Sequence, residues 1–386
     1  MKDLSIYFSP VQFEEEFNHD TVGSKIIRNT AIGFPELTNS GVAIFYVPEF
    51  RGDKNVMHGS KKAQFRKSLY ALSVATGWNL ELYDLGDINP GNSIKDTFFA
   101  VSQVVEELVK NKIIPLVIGG SQDLTMAVYD GYAALEQMVN ICSVDYKHDL
   151  GDPETDAHAD GYISHLLLKR PCYLFNLATI GTQSPFISLS EADLYDKLYF
   201  DQCRLGEFNA DFKKAEPLLR NADVLSLDYR SVRSSEFGGN GVFIQPNGFF
   251  ADQICQISKY AGMSDKLTSF GLFNYVGEED QSVYSSLVAQ IIWYFIDGVS
   301  QRKGDFPVGS KKDYLKFTVQ LDDFKEEVVF YKSNKSDRWW MEVPYPLQIN
   351  AMYQRHFMVP CDENDYQRAM KNELPDLWWK TFQKLS

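Results

Sequence analysis

The chain of 386 residues lacks a Cys-x-x-Cys pair, a membrane-length apolar run, a basic excess and any repeat, and each gap removes a class of protein. Its five cysteines (Cys142, Cys172, Cys203, Cys255, Cys361) are odd in number and far apart. That spacing suits neither zinc nor dithiol chemistry and predicts five reduced core residues in a cytoplasmic protein. The longest apolar stretch, Leu287 to Ile296, is broken by Gln290. It is about half the ~20 residues a bilayer-spanning helix needs, so a buried helix and no membrane insertion are expected. With 38 Lys+Arg against 52 Asp+Glu, the formal net charge of −14 repels phosphate backbones. The basic pairs Lys61-Lys62 and Lys311-Lys312 are too short to counter that field, so no nucleic-acid partner is expected. Residues Met1 to Phe17 carry Glu14, Glu15 and Glu16 where a secretory signal has a basic start and an apolar run, so export is not expected.

What the chain does have is a core. Hydrophobic residues make up 44% and charged residues 23%, ordinary globular values. Between residues 40 and 300, short apolar runs alternate with segments of helical period, the pattern of a mainly parallel α/β sheet. Strands are predicted at Val42–Val47, Leu80–Tyr83, Ile113–Ile118, Val139–Val144, Leu174–Ile180, Val224–Leu227 and Leu267–Leu272, bare apolar runs suited to burial on both faces. Ser93 with Asp96 forms a helix-start pattern, after which Phe98, Val101, Val104, Val105 and Leu108 recur as one apolar stripe. After Val299 the texture changes. Strands at Leu315–Leu321, Glu327–Tyr331 and Arg338–Val343 precede a helix from Asp362 and a Trp378-Trp379 helix begun by Pro375. The expected organisation is an N-terminal segment (1–30) packed on the main domain, an α/β domain (31–300) and a C-terminal extension (301–386) of antiparallel strands then helices, not independent of the rest.

Ligands of open parallel sheets bind beyond the carboxyl ends of the strands, so those ends come first. Ile113–Ile118 runs into Gly119-Gly120-Ser121-Gln122-Asp123, Val139–Val144 into Asp145-Tyr146-Lys147-His148-Asp149, and Val224–Leu227 into Asp228-Tyr229-Arg230, while Leu267–Leu272 is followed by Phe273-Asn274. Aspartates after strands often cap helices, and Gly119-Gly120 alone would make a tight turn. Acidic residues beside Lys147 and Arg230 at separate strand ends are harder to ascribe to capping. Ser121, Ser143 and Ser226 have no His-Asp partners placed in sequence, which counts against a serine hydrolase.

In order and strand context these segments resemble the ureohydrolase family of arginase, agmatinase and formimidoylglutamase, over roughly residues 30 to 300. The family's signatures Gly-Gly-Asp-His, Asp-Ala-His-x-Asp and Ser-x-Asp-x-Asp stand against Gly119-Gly120-Ser121-Gln122, Asp145 to Asp149 and Ser226-Leu227-Asp228-Tyr229-Arg230. Asp84 to Ile88, Gly59 and Arg66 also resemble its early segments. The resemblance implies a three-layer α/β/α arginase-like fold with a mainly parallel central sheet, here with a mixed β/α C-terminal extension. It also implies a binuclear manganese site on the positions of Gln122, Asp145, Lys147, Asp149, Asp228 and Arg230. By the family's arrangement one metal belongs to Gln122, Asp145, Asp149 and Asp228. The other shares Asp145 and Asp228 and finds Lys147 and Arg230 where its own two ligands should be. The family's substrate-contacting Glu falls on Asn274.

Three aspartates facing two cations give a cluster near −1, so Lys147 and Arg230 are expected to replace the metal ions. The expected cofactor is none, or at most one divalent cation (Mn²⁺, Mg²⁺ or Ca²⁺) on the hard-oxygen set. Asp156-Ala157-His158-Ala159-Asp160 repeats the central signature but follows no apolar strand, so it is expected not to point into the cleft and to form an acidic substrate-side loop, the alternative being that it is the ligand segment itself. His158, His165 and Asn274 are then the candidate ligand contacts. Two functions stay open: a non-catalytic protein binding an amidine- or guanidine-like ligand, an amino acid or a partner, and a hydrolase of linear amidines or guanidines using one metal or none. Lys147 and Asp149 are the catalytic candidates of the second, although nearby carboxylates push Lys147 away from a base role. A third role is assembly, as a homo-oligomer or with a protein partner, through the aromatic extension with Trp339, Trp340, Trp378 and Trp379.

Overall fold

Bare apolar runs become strands here because two separate cores cover the sheet. The computed structural model describes the chain except residues 1, 13–14, 39, 55, 57–62, 237–244, 276–281, 323–326, 345–352, 354 and 386. Glu14, Gly59 and the Lys61-Lys62 pair lie outside the described residues. In chain order the strands of the main sheet are β1 (Phe8–Ser9), β2 (Ile27–Arg28), β3 (Gly41–Tyr46), β4 (Glu81–Ile88), β5 (Ile114–Ile118), β6 (Val139–Val144), β7 (Leu174–Thr182), β8 (Asp201–Arg204), β9 (Val224–Asp228) and β10 (Ser269–Phe273). Their order is β1-β4-β3-β5-β10-β9-β6-β7-β8, with β2 also on β4. All pairings are parallel except β1 with β4.

Alternation along a strand feeds both cores. On β3, Val42, Ile44 and Tyr46 enter one cluster, while Ala43 and Phe45 enter the other. The first is closed by the helices Ala251–Gly262 and Ser282–Ser300, where Leu287, Val288, Ile291, Ile292, Phe295 and Ile296 are buried as expected. Among the described residues no helix is long and apolar enough to cross a membrane. The second core takes the helix Ile94–Lys110, whose start is fixed by the reciprocal Ser93–Asp96 box and whose Val101, Val104, Val105 and Leu108 are buried.

The extension is a sheet of its own, β11 (Tyr314–Gln320), β12 (Glu327–Ser333), β13 (Trp339–Glu342) and β14 (Met358–Cys361), antiparallel throughout. Two helices follow, Glu363–Ala369 capped by Asp362, and Asp376–Leu385. It packs against the amino ends of the parallel strands. Arg220 donates to the Trp339 and Cys361 carbonyls, both at 2.8 Å, and its guanidinium lies 4.5 Å from the Trp340 ring centroid. Arg355 pairs with Asp223 just before β9 at 2.9 Å, and Lys380 with Asp201 at the start of β8 at 3.4 Å. Trp339, Trp340 and Trp378 are buried inside this region, which leaves Trp379, 43% exposed, as the tryptophan of the four that reaches solvent. All five cysteines are free, but Cys172 is half-buried, a correction to the expectation that all are core.

Candidate functional site

Four neighbouring strands, β5, β10, β9 and β6, end side by side, so residues far apart in sequence meet at one edge of the sheet. Gly119 and Gly120 close β5 with φ of 89° and 72°. A Cβ at Gly119 would lie 2.1 Å from the Tyr46 ring, and one at Gly120 2.7 Å from the Glu49 carbonyl oxygen. The glycines therefore do make the tight turn, and the turn delivers Gln122 to the site. The Gln122 amide nitrogen donates to the hydroxyls of Ser143 on β6 and Ser226 on β9, each at 3.4 Å. Its Oε1 is left buried and accepts no hydrogen bond.

Beyond β6, the Asp145 Oδ1 accepts the Lys147 backbone N–H at 3.2 Å, while Oδ2 is buried and accepts nothing. Asp149 takes a left-handed backbone, φ 51°, which brings its carboxylate back under Lys147 at 3.3 Å. Beyond β9, Asp228 turns Arg230 into the cleft. Its Oδ1 accepts the Arg230 backbone N–H at 2.7 Å and its Oδ2 accepts Nε at 2.8 Å. The same guanidinium reaches Asp53 at 3.5 Å and Asp160 at 3.2 Å, and Lys147 reaches Asp160 at 2.5 Å. Beyond β10, Asn274 has φ 58°, donates its backbone N–H to the Gly120 carbonyl at 2.7 Å, and keeps a buried side-chain amide with neither atom hydrogen-bonded.

Burial lifts the Asp145 carboxyl well above the usual range, and the Asp149 and Asp228 charges add to it. Asp149 is pushed up to about 6 by burial, held back by Lys147 and Arg230. Both carboxyls are thus raised by burial, and neighbouring carboxylates add to the rise. Burial by itself would lower Lys147, but Asp149, Asp160 and Asp145 outweigh it and hold the ammonium above its ordinary value. This is the direction expected from the nearby carboxylates, and it works against a base role for Lys147.

Two aspartates join the cluster that the strand-end reading did not place there. Asp160 was expected outside the cleft, yet it bridges both cations. Its segment is carried in by a hydrogen bond from the Ala159 N–H to the Gly52 carbonyl at 2.9 Å, so no strand is needed. The signal was the repeated Asp-Ala-His-x-Asp pattern. Asp53, adjacent to Gly52, had no signal of its own. Five carboxylates now face Lys147 and Arg230, a formal excess of three negative charges that corrects the value near −1. His158 lies at the rim, its ring over Gly161, lowered by burial and by Lys54; His165 is near enough to act on it. His148 is turned away, stacked on Tyr195 at 3.7 Å and lowered to about 4 by burial.

The two implied metal positions differ in fit. Lys147 and Arg230 occupy the second with their own charges, so a binuclear centre does not fit these residues. At the first, Gln122 Oε1 and Asp145 Oδ2 are oxygens of the right chemistry. As placed, however, no three His, Cys, Asp or Glu among the described residues converge to hold an ion.

Solved structures of ureohydrolases share this fold. The structure of formimidoylglutamase from Bacillus subtilis superposes with a TM-score of 0.64 at 17% identity, covering 75% of this chain and 95% of that one. Formiminoglutamase from Trypanosoma cruzi, solved with Mn²⁺, gives 0.62 at 19% identity over 70% and 97%. The agmatine ureohydrolase of Thermoplasma volcanium gives 0.57 at 17% over 69% and 92%. No curated protein matches the sequence. At such identities the superpositions establish the fold. Membership comes from the sequence itself: the arginase family model matches residues 53–294, well over half of the chain, and takes in the ends of β5, β6, β9 and β10 on which the cluster is built, so the chain belongs to the arginase family.

Proposed function

We propose that this protein is a non-catalytic member of the family, a pseudoenzyme whose cleft binds a small polar ligand and has given up binuclear metal chemistry. The observation that carries this is the Arg230 fork on Asp228, with Asp53 and Asp160 beside it, at a position where the family has a metal ligand. A dication placed there would sit against a guanidinium that is 4% exposed and cannot swing away into solvent. Family-type hydrolysis uses a hydroxide activated between two ions, and one ion activates water less well.

The test is metal content by mass spectrometry after incubation with Mn²⁺, for wild type and for the Lys147→His, Arg230→Asp double variant. An empty wild type beside a loaded variant supports the reading. One or two equivalents on the wild type would overturn it. The Gln122 Oε1 and Asp145 Oδ2 atoms, buried and accepting no hydrogen bond, favour a second reading, a hydrolase of linear amidines or guanidines with one hard ion. That reading requires one equivalent of metal together with release of ammonia, formamide or urea from such substrates.

A further inference from the structure

The contact that closes the cation pair from outside differs from those beneath it. Asp160 Oδ1 meets both Lys147 Nζ and Arg230 Nη1. The side chains of Asp53, Asp149 and Asp228 are at most 1% exposed, whereas that of Asp160 is 34% exposed. Asp160 therefore stands between the cations and solvent.

The chain that carries it is a closed-ended loop. Leu150 pairs with Tyr162 across its base, and the Ser164 hydroxyl donates to the Gly151 carbonyl at 2.7 Å. Gly151 and Gly161 touch so closely that a Cβ on Gly151 would lie 2.7 Å from the Gly161 Cα. On the other side of Asp160, the Ala159–Gly52 hydrogen bond ties the chain to the protein body. Anchored on both sides, the Asp160 backbone is held in place, and its partly exposed side chain can turn toward solvent without disturbing β6 or the helix Tyr162–Leu168.

We propose that Asp160 is a built-in substitute for the carboxylate of the cleft's ligand, and that Lys147 and Arg230 form an anion clamp that takes a small external carboxylate when the Asp160 side chain turns away. This rests on the reading of the cleft as a binding site and names the chemistry of its ligand. The exchange swaps one carboxylate for another, so neither buried cation is left without a counter-charge, the costly alternative. An ammonium beside a guanidinium suits the two oxygens of one carboxylate. An amidinium or guanidinium in the same seat would face two like charges.

The experiment compares wild type with Asp160→Asn in acetate and in methylguanidinium chloride at fixed ionic strength, reading affinity by calorimetry and by the shift in melting temperature. The Asn variant keeps the shape and removes the competing charge. It is expected to bind acetate about tenfold more tightly than wild type, and Asp160→Asn with Lys147→Met is expected to lose that gain. If the Asn variant does not fold, Asp160→Ser carries the same comparison. Equal acetate affinity in wild type and variant, or a preference of the variant for methylguanidinium, overturns the proposal. Metal content is measured on the same samples, so failure of the clamp and failure of the metal-free reading are told apart.

Discussion

Replacing Arg230 by Met tests whether a protein cation does the work of a metal ion. Arg230 lies 2.8 Å from Asp228, whose side chain is fully buried, and 3.5 Å from the equally buried Asp53. At an effective dielectric constant of about 20, a pair at that shorter distance attracts by about 6 kcal/mol before desolvation is subtracted. Methionine roughly keeps the volume but leaves both aspartates facing no guanidinium. Breaking one side of a buried pair costs about 3–5 kcal/mol, and that is the expected loss. Urea unfolding should show it as a lower midpoint with the slope unchanged. Adding Asp228→Asn should recover much of the loss, because the stranded charge goes with it. Mn²⁺ should stabilise the Met variant and leave the wild type unmoved. A loss below about 1 kcal/mol would mean that the pair behaves as a solvated surface bridge, and the substitution of cation for metal would be refuted.

Two further tests address the scaffold. Lys266 is buried and lowered to about 8 by that burial and by Arg355, against the pull of Asp223. Between about pH 8 and 10 the unfolded chain then holds the extra proton, so stability should rise with pH, by up to ~3 kcal/mol, and Lys266→Met should flatten the slope in denaturation series. Gly120→Ala forces a side chain into a positive-φ position against the Glu49 carbonyl and should cost at least ~2 kcal/mol in thermal unfolding. Gly206→Ala, with open space around its Cβ, should be neutral or slightly stabilising, and equal effects at the two glycines would contradict the geometry.

The parallel strands were legible because burial on both faces leaves no polar alternation to confuse the reading. β8, with sequence Asp-Gln-Cys-Arg, was missed because an edge strand needs apolar residues only where it touches the sheet, here Cys203. β14 was missed because it contains Pro360, tolerated since this strand has a sheet neighbour on one side. At the site, Gln122, Asp145, Lys147, Asp149, Asp228 and Arg230 stand at or just after the ends of strands, so the strand ends pointed to their segments and the resemblance to the family singled them out within those segments. Asp53 and Asp160 arrive on loops held together by one backbone hydrogen bond, and nothing in the apolar pattern encodes which loops meet. The early charged segment also had a partner that only the fold supplies: Arg66 forks onto Asp84 at 2.7 Å and reaches Asp87 at 2.5 Å, a buried brace behind β4.

The extension grips the sheet through Arg220, Arg355 and Lys380 at the ends of the strands opposite to the cleft. A five-residue strand such as β9 is a rod of about 17 Å, so the two ends are separate faces of one body. The molecule has a handle and a mouth. Immobilising the protein through the extension would turn the cleft toward solution, and whatever fastens to the extension leaves the path to Asp160 open.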